Sequence, residues 1–333
     1  MVAAPASTHI CRRDALRGMA ATAVTIAGLR LAAAQATSMI EERWSAGGLV
    51  GTFARPVGDP TRGPAVVILA GSGPNLRDGT LGTYRRIAEG LAADGIRSVR
   101  YDKRGIGESR ALVAREDDVV LQHFVDDAVT AARDLQARSD VSAVVIVGHS
   151  EGALLAILAA AKAKVAGIVL LAGPGRRFDV ILREQIKNLP LSPGQEHFRT
   201  ETLSILETLA RGERVAHVSK QNMALFRPSV QPFLISLIPV DPTVEFGRLT
   251  VPALIVQGAR DVQIKQADFE ALKKARPDAK AFVLPEANHM LTRAPANLSD
   301  LAAQIKSYDR NAPLVPELLP ALTAFIKSVS AAP

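Results

Sequence analysis

The run Ala143-Val144-Val145-Ile146-Val147 is wholly apolar and passes without a break into Gly148-His149-Ser150-Glu151-Gly152, after which Ala153 to Lys162 is Ala/Leu-rich with helical spacing. A strand that is apolar on both faces belongs in the middle of a covered, parallel sheet. Passing from strand to helix within one or two residues strains the backbone at the corner, and a side chain at either flanking glycine would collide with the neighbouring element. The pentapeptide fits Gly-x-Ser-x-Gly in the strand-turn-helix setting that gives the pattern its meaning. Such a corner lifts Ser150 clear of the sheet's carboxyl edge, at a helix N-terminus whose dipole favours developing negative charge. Ser150 is therefore the candidate nucleophile.

From Thr37 onward, short β-branched apolar runs alternate with longer Ala/Leu-periodic segments, the pattern of a doubly wound, mostly parallel α/β sheet. The composition suits it: 48% of the 333 residues are apolar but only 4% aromatic, so the core is built from Ala, Val, Leu and Ile. Trp44 to Arg55, with Gly47-Gly48 inside it, predicts an opening hairpin. Strands are predicted at Ala65 to Ala70, Arg97 to Tyr101, Gly167 to Leu171, Ala253 to Val256 and Ala281 to Leu284, and helices at Tyr84 to Ala93, Val119 to Ala137, Gln266 to Ala275 and Pro316 to Val329. Between Phe178 and Gly247 the alternation stops. That stretch has helical period, six prolines and no convincing strand, so residues 175–248 are read as a helical cap inserted into a core formed by 37–174 and 249–333.

A serine hydroxyl needs a base within hydrogen-bond reach, normally an imidazole. Of six histidines, His9 lies in the N-terminal segment, His123 on a long helix, and His197 and His217 in the cap. His149 adjoins the serine, where the corner turns its side chain elsewhere, and is read as a structural or pocket residue. His289, in Pro285-Glu286-Ala287-Asn288-His289-Met290, follows a strand that should end at the same sheet edge as Ser150, and is the candidate base. The acid that orients it should be a buried carboxylate on the neighbouring loop, and Asp261 follows the preceding strand directly. Asp268, seven residues on, is expected on the next helix and facing solvent. One oxyanion donor should be the backbone N–H of Glu151, the residue after the nucleophile. The second should come from Gly71-Ser72-Gly73-Pro74, where Pro74 has no N–H; Ser72 is favoured over Gly73.

These features together resemble the α/β-hydrolase superfamily, and within it a bacterial group of serine esterases and serine aminopeptidase-like hydrolases. The residues that carry the resemblance are Gly71-Ser72-Gly73-Pro74-Asn75-Leu76-Arg77-Asp78-Gly79, Tyr101-Asp102-Lys103-Arg104-Gly105-Ile106-Gly107-Glu108-Ser109, the serine pentapeptide, and the loops of Asp261 and His289. The order Ser150, Asp261, His289 is the order of that fold. Asn75, Arg77, Asp78, Arg104 and Glu151 are expected at the mouth of the site, either as an ion-pair network fixing two loops or, for Asn75, Arg77 and Arg104, as contacts to a polar substrate group. In the cap, Leu225, Phe226, Phe233 and Leu234 are expected to wall an apolar acyl or alcohol pocket. The resemblance implies a serine hydrolase acting on small carboxylic esters. Peptide, thioester or lactone cleavage is the alternative on the same residues, and a non-catalytic binding module is the more remote one. Haloalkane or epoxide chemistry would need Asp at position 150.

The first 36 residues read as an export signal. Arg12-Arg13 precedes an apolar stretch from Met19 to Leu29 and the small-residue site Ala34-Gln35-Ala36, a pattern resembling a bacterial twin-arginine signal. The apolar run is too short to span a bilayer. A periplasmic or secreted location is expected. The sole cysteine, Cys11, lies in this segment, so no disulfide is expected in the remainder. The formal charge of +7 includes four arginines and one aspartate before Thr37, so the rest carries +4. Scattered charge of that size excludes nucleic acid and anionic membrane surfaces as partners. No His/Asp/Glu cluster has ligand spacing, so neither metal nor organic cofactor is expected.

Overall fold

A computed structural model describes residues 39–58, 61–79, 81–191 and 194–331. The export-signal segment lies outside them. Eight strands run in the order β1 (Met39–Ala46), β2 (Leu49–Pro56), β3 (Gly63–Leu69), β4 (Arg97–Tyr101), β5 (Val141–His149), β6 (Gly167–Leu171), β7 (Ala253–Gly258) and β8 (Lys280–Leu284). They form one sheet ordered β1-β2-β4-β3-β5-β6-β7-β8. β1 and β2 make the antiparallel hairpin expected around Gly47-Gly48, β2 pairs antiparallel with β4, and every other neighbouring pair is parallel.

The period of two that makes these runs strands also divides the core. Val67, Ile146, Leu170 and Ile255 face one side of the sheet, while Val66, Val145, Val169 and Leu254, one residue away in each strand, face the other. The first side is covered by α2 (Leu121–Ala137), α3 (Glu151–Ala160) and later α9 (Gln266–Ala275); the second by α1 (Thr83–Ala93) and the closing α11 (Leu318–Ser330). The helix α3 is buried on nearly all sides because it is wedged between the sheet, α2 and α8 (Pro242–Gly247). A helix without a polar face fits only such a slot.

Between β6 and β7 the chain forms α4 (Phe178–Asn188), α5 (Glu196–Ala210), α6 (Met223–Phe226), α7 (Gln231–Leu237) and α8 (Pro242–Gly247). The first four gather a core of their own around Leu182, Leu206, Leu209, Phe226 and Ile238. One further helix, α10 (Leu301–Lys306), was not anticipated; its six residues are too few for a periodic pattern to stand out.

The parallel strands β3, β5, β7 and β8 all end at one edge, so the loops after them converge there. At the corner after β5 the packing admits no side chain. A Cβ on Gly152 would lie 2.4 Å from the Leu69 carbonyl oxygen, and one on Gly148 would lie 2.0 Å from the Gly152 carbonyl oxygen. Gly152→Ala is therefore expected to destabilise the fold by about 2 kcal/mol or more, because rigid backbone has to move to admit the methyl group. A denaturant midpoint unchanged from that of the parent chain would contradict this.

Candidate active site

Ser150 sits at the N-terminus of α3 with φ 55° and ψ −123°, a conformation that costs a non-glycine residue of order 1–3 kcal/mol. Its surroundings hold it there: the Ser150 N–H donates 2.9 Å to the Leu171 carbonyl, and its own carbonyl accepts from Ala153 N–H at 2.9 Å. Among the described residues two other non-glycines have positive φ, Ala172 and Leu291, and both flank the same edge, one after β6 and one in the loop after β8.

His289 Nδ1 lies 2.7 Å from Asp261 Oδ2, and both side chains are buried. A carboxylate only accepts, so Nδ1 carries the proton and Nε2 is left with the lone pair a base requires. The other oxygen, Asp261 Oδ1, accepts the N–H groups of Gln263 at 2.7 Å and Ile264 at 3.0 Å, which fixes the carboxylate in one orientation. The loop of His289 is organised by Asn288, whose Oδ1 accepts from Met290 N–H, Thr292 N–H and Thr292 Oγ1 while its Nδ2 donates to Ser307 Oγ. Gly258 lets the two loops meet, since a Cβ there would lie 2.4 Å from the Ala287 carbonyl oxygen. Among the described residues no hydrogen bond joins the Ser150 hydroxyl to His289. Such contacts are often loose without substrate and tighten when it binds.

His149 supplies the link between corner and loop. Its Nε2 is 2.8 Å from the His289 carbonyl oxygen, its Nδ1 is 3.1 Å from Tyr84 Oη, and its ring centroid is 4.9 Å from that of His289. The carbonyl can only accept, so Nε2 holds the hydrogen, Nδ1 accepts from the tyrosine hydroxyl, and Tyr84 Oη in turn accepts from Gly71 N–H at 2.8 Å. Burial pushes the His149 imidazole down to about 3, helped by the neighbouring His289, and burial raises the Tyr84 phenol to about 12. A neutral histidine in the fold and an ordinary one near 6.5 in the unfolded chain differ in protons bound between those values, with the unfolded chain binding more. Stability is then fully present above about 6.5 and is lost as pH falls through that window. His149→Gln, which can keep a donor and an acceptor there, is expected to flatten this limb. The parent should lose about 2 kcal/mol more than the variant between pH 7 and pH 5 in urea unfolding.

The turn after β3 lies against the corner: a Cβ on Gly71 would be 3.2 Å from Ser150 Cβ. Ser72 and Gly73 are exposed there, and Asn75 holds the turn by donating from Nδ2 to the carbonyls of Ser72 at 2.8 Å and Gly71 at 3.1 Å. Arg77 is directed inward: its Nε and Nη2 grip Asp102 at 3.0 and 2.8 Å, and its other donors reach Gly51 O and Glu108. Arg104 grips Asp127 at 2.6 and 3.0 Å. The two carboxyls respond differently. Burial raises Asp127 above its ordinary range against Arg104, whereas Asp102, also opposed by burial, is held low because the N–H groups of Arg77 and Glu108 add to the guanidinium. The cavity of about 710 Å³ beside this network is lined by Arg77, Asp102 and Glu108 and by none of Ser150, Asp261 or His289.

Two expectations are corrected. Asp268 does not face solvent: it is fully buried at the start of α9, where its carboxylate accepts Gly175 N–H, Lys265 N–H and both arms of Arg176. Phe226 and Leu234 do not wall a pocket, both being buried in the core of the helical layer. Phe233 is partly buried and packs edge-on against Phe124, with ring centroids 5.3 Å apart. The roles of Lys103, Tyr84, Asn288 and Gly258 are not apparent from the sequence; the available signal is the charged pair Asp102-Lys103 just beyond the end of β4. Among the described residues no group of three or more His, Cys, Asp or Glu is arranged to hold a metal ion, and no helix is long and apolar enough to cross a membrane.

Comparison with known proteins agrees with this architecture. Esterase EstD of Thermotoga maritima is 34% identical over 263 residues, which cover 76% of this chain and 60% of the relative, so the chain spans about three-fifths of that protein's length. Among solved structures, Est1E of Butyrivibrio proteoclasticus with bound ferulic acid superposes with a TM-score of 0.57 at 15% identity, over 87% of this chain and 100% of that one. GrgF of a Penicillium species superposes with a TM-score of 0.56 at 16% identity, over 88% and 99%. Likeness at such identity speaks to the fold alone. The model of the alpha/beta hydrolase family matches residues 66–301, the span from β3 to the start of α10, and the chain belongs to that family.

Proposed function

We propose that this chain hydrolyses carboxylic esters, with Ser150 as nucleophile, His289 as base and Asp261 as the acid that orients it. The observation that carries this is the buried 2.7 Å pair of His289 Nδ1 and Asp261 beside a strained, partly exposed serine at the edge where the strands end. The similarity to a protein named an esterase supports the same choice of bond. In the first step Ser150 Oγ attacks the ester carbonyl carbon while His289 Nε2 takes its proton. The oxyanion is held by the N–H groups of Glu151 and Ser72. Collapse expels the alcohol with the proton from His289 and leaves an acyl group on Ser150. Water then attacks that acyl carbon, gives its proton to His289, and the acid departs as the Ser150 hydroxyl re-forms.

Arg77 and Arg104 are occupied by Asp102 and Asp127, which favours an apolar substrate over an anionic one. Phe233 and Phe124 are assigned to the apolar wall. The export signal remains part of this reading: exchanging both Arg12 and Arg13 for lysine is expected to keep the protein out of the periplasmic fraction, and unchanged fractionation would refute it.

The decisive assay is turnover of a panel of aryl esters and aminoacyl amides by the full chain. Ser150→Ala is expected to lower kcat by about 10⁶-fold and Asp261→Asn by about 10⁴-fold, with esters turned over faster than amides. Persistence of ester turnover in Ser150→Ala would remove the assignment.

A further inference from the structure

Lys103 is buried beside the corner and has no part in the mechanism given above. Its ammonium is held by two oxygens and faces one aromatic ring. It donates to the Gly71 carbonyl oxygen at 3.0 Å and to Glu151 Oε1 at 2.9 Å, and it stands 4.9 Å from the ring centroid of Phe124. Such a cation is committed to the protein and not available to a ligand.

We propose that Lys103 is a positioning residue that aims both oxyanion donors; this rests on the acyl-transfer reading. The Gly71 carbonyl and the Ser72 N–H belong to one planar trans peptide and point in opposite directions. Lys103 Nζ and Asn75 Nδ2 both donate to that carbonyl, at 3.0 and 3.1 Å, and thereby fix where the Ser72 N–H points. Tyr84 Oη fixes the other side of Gly71 by accepting its N–H. Donors on the carbonyl also polarise the amide, making its N–H a stronger donor. Through the Glu151 carboxylate the same ammonium holds the residue whose backbone N–H is the second donor. The ion pair thus joins the exit of β3 to the first turn of α3, and it selects Ser72 over Gly73 as the donor. Gly73 lies one peptide beyond the clamped group, with positive φ and open space where a side chain would stand.

The test compares Lys103→Met with Lys103→Met/Glu151→Met, in which no charge is left buried without its partner. Two readouts are taken beside the thermal midpoint: kcat and KM on an aryl ester, and the rate of covalent labelling by a fluorophosphonate, which uses the same donors whatever bond the natural substrate carries. A purely structural ion pair would be repaired by the double change in both stability and rate. A positioning role predicts that the double variant recovers the midpoint lost by Lys103→Met yet remains about 10- to 100-fold slower in kcat and in labelling, with KM within about threefold. Asn75→Ala, which removes the second donor from the same carbonyl, is expected to slow labelling by a smaller factor, about threefold to tenfold. A folded double variant that labels within twofold of the parent would overturn the proposal; were neither Lys103 variant to fold, an unchanged labelling rate in Asn75→Ala would do so. A parent chain that labels but turns over no ester refutes the ester reading alone, and one that does not label refutes both.

Discussion

Between the end of β3 and the first turn of α3 there is room for backbone and nothing else. Gly152 rests against the carbonyls of Leu69 and Ala70, and Gly148 against Gly152 itself, so strand, corner and helix are locked at van der Waals distance. The strain at Ser150 follows from that contact, because the chain has no space in which to relax. So does the approach of Gly71 to Ser150, which sets the turn carrying Ser72 beside the serine. The wedged α3, apolar beyond Glu151, is the other half of the constraint: it cannot slide outward without exposing Leu154, Leu155 and Ile157 to water, each worth about 2 kcal/mol of burial.

Around this rigid corner the loops are tied by buried charges. Asp102, Asp127 and Asp268 each receive an arginine fork, from Arg77, Arg104 and Arg176. A pair buried in this way adds little net stability, since desolvation offsets most of the attraction, but losing one partner strands a charge. Such pairs act as fixed lengths between loops: 76–79 to the exit of β4, the exit of β4 to α2, and the exit of β6 to α9. Lys103 and Glu151 form the innermost member of the set and the one touching the turn beside the serine.

The fold was legible because its strands are read from a strong signal: the runs Ala143 to Val147 and Gly167 to Leu171 are apolar on both faces, and the structure extends the first by two residues at each end and keeps the second as read. Ser150, Asp261 and His289 were legible as candidates because each lies within five residues of the end of a strand, and parallel strands bring their exits together. Burial by partners from far along the chain was not legible. Asp268 looks like an ordinary first-turn residue of a surface helix, and only the arrival of Arg176, 92 residues away, buries it. Phe226 and Phe233 are alike in sequence, yet one fills the helical layer and the other faces Phe124, a choice made by tertiary packing. The neutral state of His149 likewise comes from burial first and then from the neighbouring His289, 140 residues away in the chain.

Two adjacent parallel strands cannot be joined by a tight turn, so some crossover between β6 and β7 is obligatory in this sheet. Of the five helices on that path, α8 does the work of an ordinary crossover, with Phe246 buried in the sheet's own core, while α4 to α7 carry a separate apolar nucleus. The entropy of closing a connection rises only with the logarithm of its length, so lengthening this one demands little of the sheet. The excursion is therefore a module whose sequence can be remodelled, or exchanged for one of another size, while the register Leu171 to Val256 beneath it is kept.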